Sequence, residues 1–122
     1  MITVVAVREK GWYDNKRTEY RLYDQTCRAY GVDLKMIDNI NEIDAKNIVI
    51  FDENGDISLE NFKHPDDAIY LFGRTGLDLK HDFPDKQSVR INTDSSIALF
   101  GAVACGIVLE DRRRKNVSHD NK

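Results

Sequence analysis

Hydrophobic residues along the chain form short β-branched runs and longer stretches with helical spacing. The first run, Ile2 to Val7, is a continuous run of mainly β-branched residues, as in a strand that is covered on both faces. From Thr18 to Tyr30 the spacing becomes helical, because large or apolar side chains recur at i, i+3, i+7 and i+10. These are Tyr20, Tyr23, Cys27 and Tyr30. Asp14 or Asn15 can cap this helix, and Gly31 suits its C-terminal end.

Four further runs predict strands: Leu34 to Ile37, Asn47 to Phe51, Ala68 to Phe72 and Val89 to Ile91. Between them, Asn39 to Ala45 indicates a helical turn and Asp52 to Gly55 a tight turn. The segment Ile57 to Phe62 is ambiguous, with a short helix as one interpretation. The charged segment Asp78 to Lys86, with Pro84, reads as a linker. Strands that alternate with helical or loop crossovers predict an α/β fold, with a parallel sheet of about five strands and flanking helices.

A long apolar helix is predicted to start near Asp94-Ser95-Ser96 and to end at Glu110 to Arg114. Its longest apolar stretch, Ile97 to Leu109, is about half of the ~20 residues that a membrane span needs, so we expect a packed helix of a soluble protein. Small residues let another backbone approach closely, and that backbone can belong to the chain's own sheet, a second subunit or a crossing segment. They are Ala98, Gly101, Ala102, Ala104, Cys105 and Gly106.

Composition places the 122-residue chain among ordinary globular domains, with 41% hydrophobic and 32% charged residues. We expect one domain over residues 1–114 and a flexible polar tail over 115–122. The net charge of −3 provides no global basic field for nucleic acid. Cys27 and Cys105 suggest small buried thiols of a reduced, cytoplasmic protein. The three histidines are scattered, so the sequence implies no metal site.

The segment Gly73-Arg74-Thr75-Gly76 follows directly after the predicted strand Ala68 to Phe72. In a parallel α/β sheet, ligands bind beyond the carboxyl ends of the strands. Glycines there let the backbone turn with positive φ and expose N–H groups to an adenine edge, a carboxylate or a phosphate. A tight structural turn without a ligand explains the same residues, so both interpretations stay open.

Two groups of arginines are candidates for contact with RNA phosphates, which need local positive charge. Arg17, Arg21 and Arg28 recur on the helix face away from the tyrosines, and Arg112, Arg113 and Arg114 cluster at the end of the last helix. The alternative is a solvated face together with favourable positive charge at a helix C-terminus.

The C-terminal half resembles the SPOUT methyltransferases of the SpoU type, which are trefoil-knotted enzymes that use S-adenosylmethionine. Leu71-Phe72-Gly73-Arg74-Thr75-Gly76 resembles the family's glycine turn, and Val89-Arg90-Ile91-Asn92-Thr93 resembles its second motif. Ser96-Ile97-Ala98 and the small-residue helix behind it resemble the third. The match is fainter in the N-terminal half, where Tyr30-Gly31-Val32 corresponds to the ending of the first motif.

The resemblance implies a C-terminal trefoil knot, bound S-adenosylmethionine, and methylation of the ribose 2′-hydroxyl of tRNA or rRNA. It assigns the cofactor to Leu71, Gly73, Arg74, Thr75, Gly76, Ile91, Asn92, Thr93, Ser96 and Ile97. Because a chain of this size buries only a modest core, we also expect a homodimer, in which the helix near Ser96 to Leu109 and the helix near Tyr20 to Tyr30 take part in the interface.

The sequence departs from the family at the residues expected to catalyse the reaction. When the first motif is aligned on Gly31, the family's Asn and Arg fall on Glu19 and Gln25. In the later motifs, the Glu of the glycine turn falls on Thr75, and the Asn at the start of the last helix falls on Ala98. The catalytic residue is therefore unknown, with Arg21 or Arg28 as the nearest candidates to replace the Arg. Two alternatives remain: a catalytically inactive binding or interaction module of the same fold, and an unrelated flavodoxin-like or nucleotide-binding domain.

Overall fold

The computed structural model describes residues 1–10, 16–43, 47–74 and 76–120. In chain order its elements are β1 (Ile2–Val7), α1 (Lys16–Ala29), β2 (Asp33–Ile37), β3 (Ile48–Phe51), β4 (Ile57–Ser58), β5 (Ala68–Phe72), α2 (Leu79–Asp82), β6 (Gln87–Arg90) and α3 (Gly101–Asp120). Two 3₁₀ turns, Ile40–Glu42 and Leu59–Asn61, follow β2 and β4.

The strands form one sheet of six in the order β2-β1-β5-β3-β6-β4, and every pairing is parallel. The predicted α/β class is therefore confirmed, with one strand more than expected. That strand, β4, begins the ambiguous segment for which a short helix was one interpretation, and the 3₁₀ turn Leu59–Asn61 is the helical part of that segment. Arg90 Nη1 donates to the carbonyl oxygens of Gly55 and Asp56 at 3.0 and 3.1 Å, which holds the approach to β4 along β6.

The hydrophobic core lies on both faces of the sheet, because successive strand residues point to opposite sides. On one face, Val4 and Ala6 belong to a cluster that includes residues of α1 and α3. On the other face, Val5 and Val7 pack in a second cluster with Leu79 of α2. This two-sided burial is why the β1 sequence is apolar without alternation.

The two cysteines, Cys27 on α1 and Cys105 on α3, are both free and buried, as predicted. Their thiols form a hydrogen bond, and this bond together with burial raises the pKa of Cys105. Although 78 positions separate them in the sequence (105 minus 27), they lie together where the two helices pack.

Helix α3 begins at Gly101 and not at Asp94 to Ser96, so the predicted start was wrong. Residues 91–100 are irregular. Here Ser95 Oγ accepts from Ile97 N at 3.2 Å, and Thr93 Oγ1 donates to the Ser95 carbonyl at 3.1 Å. Such local bonds from side chain to backbone compete with helix formation.

The predicted linker also contains structure, because α2 occupies Leu79–Asp82. Asp78 caps this helix, and its carboxylate accepts from His81 N at 3.1 Å.

The end of α3 lies at Asp120, beyond the predicted end at Arg114. Lys115 Nζ, the first side chain of the predicted tail, donates to the carbonyl oxygens of Leu59 and Phe62 at 2.7 and 2.8 Å. The ring of His64, 1% exposed, joins the same region, with Nδ1 2.6 Å from Tyr70 Oη and Nε2 2.7 Å from Asp111 Oδ2. These bonds hold the C-terminal half of α3 against the sheet.

Candidate functional site

A cleft of about 580 Å³ lies at the carboxyl ends of β3, β5 and β6. Three neighbouring parallel strands end at this edge of the sheet, so the segments that follow them meet there. Buried side chains of the strand ends, Phe51, Phe72 and Val89, line its base. The cleft therefore has an apolar base and walls made by loops.

Most of the residues that the resemblance assigns to the cofactor line this one cleft. They are Gly73, Arg74, Gly76, Ile91, Asn92, Thr93, Ser96 and Ile97. Leu71 is fully buried in the hydrophobic cluster on the opposite face of the sheet, and it does not line the cleft. Thr75 lies outside the described residues.

Sequence reasoning missed part of the cleft wall, namely the turn after β3 and one loop residue after β1. Asp52, Glu53, Asn54 and Glu9 all line the cleft. The sequence predicts only a tight turn at Asp52 to Gly55. Its place in the site follows from the strand order, which puts β3 between β5 and β6.

Close packing of backbones shapes the glycine turn. A Cβ atom at Gly73 would lie 3.1 Å from Leu79 Cδ1, and one at Gly101 would lie 3.1 Å from the Gly73 carbonyl oxygen. Gly76 has a φ of +88°, in the left-handed region that favours glycine. The small-residue start of α3 thus sits directly against the turn, as the sequence had indicated for a close backbone approach.

Hydrogen bonds fix the loops around the cleft. Asp52 accepts from Asn54 N at 2.9 Å and from Lys80 N at 3.0 Å, which ties the turn after β3 to α2. Asn92 Nδ2 donates to Ser58 Oγ at 3.0 Å, and its Oδ1 accepts from Arg90 Nε at 3.1 Å. The Asn92 amide is therefore engaged with β4 and β6, which leaves its backbone as the part available to a ligand.

Charges of both signs surround the cleft, with carboxylates on Glu9, Asp52 and Glu53 and guanidinium groups on Arg74 and Arg90. Glu19 on α1 accepts from Glu9 N at 3.1 Å, and burial raises the pKa of its carboxyl group. The residue that aligns with the family's Asn thus holds the loop after β1 beside the cleft.

The two catalytic candidates lie outside the cleft of a single chain. Arg21 and Arg28 are exposed on the face of α1 opposite the buried Tyr23 and Cys27, and neither lines the cleft. Arg28 Nη1 lies 3.7 Å from Asp24, with its side chain 80% exposed. The side chain of Arg17 lies outside the described residues.

The arginines at the end of α3 differ in their surroundings. Arg113 donates to Glu110 at 2.9 and 2.8 Å; these bonds, with one from the Tyr30 hydroxyl, lower the pKa of Glu110 to about 2. Arg112 turns inward, with a buried Nε, and its charge acts on the buried Tyr70 hydroxyl. Arg112 is therefore not part of an open basic patch, whereas Arg114 is exposed.

The described part of the chain contains no group of three or more His, Cys, Asp or Glu residues arranged to hold a metal ion. Its helices also include none with the length and apolarity required to cross a membrane.

Comparison by sequence finds no matching protein-family model and no matching curated protein. Comparison by structure finds clear neighbours. A chain described under "Structural insights into the 2-OH methylation of C/U34 on tRNA" has a TM-score of 0.74 at 15% identity, over 96% of this chain and 97% of that one. The A. aeolicus TrmH/SpoU tRNA modifying enzyme has a TM-score of 0.70 at 14% identity, over 98% of this chain and 77% of that one.

A third neighbour carries a cofactor. The SpoU methyltransferase AviRb from Streptomyces viridochromogenes, in complex with AdoMet, has a TM-score of 0.71 at 12% identity, over 97% of this chain and 61% of that one. The shared feature of these neighbours is the parallel sheet with its flanking helices. The chain therefore has the α/β fold of the SpoU/TrmH RNA methyltransferases.

Proposed function

We propose that this chain is an S-adenosylmethionine-dependent RNA methyltransferase that acts on the ribose 2′-hydroxyl of tRNA or rRNA. The cleft is the observation that carries the proposal, because most of the residues that the resemblance assigns to the cofactor line it. The neighbours support it: one binds AdoMet, and another is described for 2-OH methylation on tRNA.

The cleft suits the cofactor in size and chemistry. Its volume of about 580 Å³ lies within the roughly 300–1,000 Å³ of typical ligand sites. The apolar base at Phe51 and Phe72 suits an adenine ring, and the turn at Gly73 and Gly76 exposes backbone groups to its edge. The carboxylates of Asp52 and Glu53 suit ribose hydroxyls or an ammonium group. When bound, S-adenosylmethionine would supply an electrophilic methyl group.

We also propose that the C-terminal part of the chain forms the trefoil knot, and the path of the chain after β6 supports this. After β6, residues 91–100 cross beside the ends of β3 and β5, where most of them line the cleft. The chain then enters α3, which packs on α1 and β5. The crossing segment fits the close approach of α3 to the glycine turn, where Gly101 leaves room for the Gly73 carbonyl.

We also infer that two copies pair through an apolar strip, defined here as Ile97, Leu99, Phe100, Val103 and Ile107. These side chains are between 39% and 76% exposed, although all are large and hydrophobic. Contiguous exposed apolar residues of this kind mark interaction sites on soluble proteins. Tyr20 is 48% exposed, and it extends the proposed interface to α1.

Exposed arginines provide the contacts to RNA in this proposal. Arg21 and Arg28 lie along one face of α1, and Arg114 lies on α3. Exposed positive charges of this kind bind phosphates without reading sequence.

A second candidate, an inactive binding module of the same fold, is favoured by one observation. Within the described residues of one chain, the arginines that line the cleft are Arg74 and Arg90, and Arg90 is engaged with Gly55, Asp56 and Asn92. An arginine that activates the ribose hydroxyl would then have to be one of these two or come from the second copy, and the carboxylates of Glu9, Asp52 and Glu53 also line the cleft.

Calorimetry with S-adenosylmethionine and S-adenosylhomocysteine tests the cofactor site. We expect binding to the purified chain, and loss of binding in Gly73→Val, because the new side chain would meet Leu79. Gly106→Ala is the matched control, since its Cβ would have 3.8 Å to the nearest atom, Thr26 Cγ2, outside the cleft. No binding at millimolar concentration would overturn the proposal.

A methyl-transfer assay on bulk tRNA and rRNA separates the two candidates. Transfer of a labelled methyl group that disappears in Gly73→Val supports the enzyme. Cofactor binding without any transfer supports the inactive module.

A further inference from the structure

Helices α1 and α3 lie side by side, and two contacts bracket one stretch of their interface. At one end, the Tyr23 hydroxyl fills the space that a Cβ atom at Gly101 would take. At the other end, the hydroxyl of Tyr30, directly after α1, donates to Glu110 Oε1 at 3.0 Å. Because the residue numbers on both helices increase from the first contact to the second, the two helices run in the same direction.

Cys27 on α1 and Cys105 on α3 lie between these two contacts. They are the only cysteines in the sequence, and their exposed fractions are 1% and 0%. The Cys105 thiol donates a hydrogen bond to the Cys27 sulfur, so the two sulfur atoms are in contact. The chain therefore holds its two thiols against each other in the core.

The helices have room to approach each other more closely beside this pair. Thr26 and Gly106 are the chain neighbours of the two cysteines, and they face each other. A Cβ atom at Gly106 would still lie 3.8 Å from Thr26 Cγ2, its nearest neighbour. The sulfur atoms of a disulfide lie about 2.05 Å apart, closer than in a hydrogen bond. The helices must therefore approach slightly for a disulfide to form, and the missing side chain at Gly106 permits this.

We infer that Cys27 and Cys105 form a reversible disulfide when a peroxide oxidises them, and that this bond staples α1 to α3. The bond would close a loop over residues 27–105, which contains five of the six strands. Such a loop restricts the unfolded chain and so stabilises the fold. Cys105 lies about one turn after Gly101, so the staple would also hold the start of α3 at the glycine turn. This inference does not depend on the proposed function.

Cys27 is the sulfur that reacts first, because the bond from Cys105 lowers the pKa of its thiol against the opposing effects of burial and Asp24. Its thiolate attacks one peroxide oxygen and the O–O bond breaks. The Cys27 sulfur becomes a sulfenic acid, and the departing hydroxide takes up the proton that the thiol had lost and leaves as water. The Cys105 sulfur then attacks the Cys27 sulfur and the S–O bond breaks. The departing hydroxide takes the Cys105 proton and leaves as a second water, so two thiols are oxidised and one peroxide is reduced.

Burial of both thiols determines which oxidant suits the site. A peroxide is small enough to reach sulfur atoms that a brief local opening of the helix pair exposes. Contact with Cys105 then favours the disulfide over further oxidation of Cys27, because the second sulfur already lies close to the atom that it attacks.

Treatment of the reduced full chain with hydrogen peroxide, followed by mass spectrometry, tests the inference. We expect the cysteines to lose two hydrogen atoms, one pair of tryptic peptides to be joined through Cys27 and Cys105, and dithiothreitol to reverse the change. Met1 and Met36 lie outside the tryptic peptides that contain the cysteines, so methionine oxidation is measured separately.

Urea denaturation of the oxidised and reduced chains tests the staple. The equilibrium constant for unfolding should be at least tenfold smaller in the oxidised chain, a difference of about 1.4 kcal/mol. Cys27→Ala is the matched control, because it keeps both methionines and one thiol, and peroxide should not stabilise it. Cys105→Ala serves the same purpose from the other helix, so the comparison does not depend on the folding of one variant.

Four results would overturn the inference. The cysteines stay as thiols, they gain oxygen without a cross-link, or they link two chains instead of two helices. In the fourth, the internal disulfide forms but the oxidised chain is no more stable than the reduced chain, which contradicts a staple that fits the fold.

Discussion

The hydroxyl of Tyr23 lies in the space that a side chain at Gly101 would need. The same missing Cβ leaves room for the Gly73 carbonyl oxygen, which would be 3.1 Å away from it. Helix α1, the start of α3 and the glycine turn after β5 therefore meet at one point. Tyr23 is 1% exposed, and burial raises the pKa of its hydroxyl, so it remains neutral at physiological pH.

Gly101→Ala should lower the free energy of unfolding by about 1–3 kcal/mol, because overpacking forces Tyr23 or the turn to move. Gly106→Ala, on the same helix but with open space, should instead gain about 1 kcal/mol from helix propensity. Urea denaturation measures both. Adding Tyr23→Phe to Gly101→Ala should recover part of the loss, and equal stability of the two alanine variants would contradict this packing.

His64 should make the stability of the chain depend on pH near neutrality. Burial lowers its pKa below the usual 6.5, Lys115 and Arg112 lower it further, and Asp111 opposes them. Since the unfolded chain then binds a proton more readily than the folded chain, stability is complete above pH 6.5 and falls as the pH drops below that value.

Thermal unfolding of His64→Gln across pH 5 to 7 tests this. The variant should be less stable than the parent above pH 6.5 and should show a flatter pH dependence below it. His81→Gln is the control, a substitution of an exposed histidine outside the group formed by His64, Tyr70 and Asp111. A parent chain with no change of stability over this range would refute the expectation.

Val103→Glu should convert the proposed dimer to a monomer, because it places a charge in the middle of the apolar strip. Sedimentation velocity at tens of micromolar is the measurement. Asn116→Glu, exposed on the same helix but outside the strip, should leave the dimer intact. If the parent chain is a strict monomer, the proposed pairing is wrong.

Arg21→Ala and Arg28→Ala should each weaken RNA binding and make it less sensitive to salt. Loss of one phosphate contact lowers the slope of log affinity against log salt by roughly 0.7–0.9. Lys35→Ala removes an exposed cation from β2 on another part of the surface and should change neither quantity. The measurement is fluorescence anisotropy with tRNA at several salt concentrations. Unchanged slopes in both arginine variants would exclude this face of α1 from RNA binding.

The sequence predicted the strands best where their residues are buried on both faces. β1 and β5 have the predicted bounds, Ile2–Val7 and Ala68–Phe72. A short, mainly apolar run without alternation predicts a central strand that is buried on both faces. β4 was missed because two residues carry no periodicity. The start of α3 was misplaced because Ser95 and Thr93 bond locally and delay the helix.

By itself, then, the sequence determined the parallel α/β fold and the place of the turn around Gly73 at the end of a strand, since strand patterns and glycine turns are local signals. Only the tertiary structure brought Asp52 into the cleft beside that turn, turned Arg21 away from it and buried the Nε atom of Arg112. The physical reason is that a side chain's neighbours depend on strand order and on the rotation of each helix. Strand order and helix rotation follow from packing across the whole chain, so no short segment of the sequence predicts them.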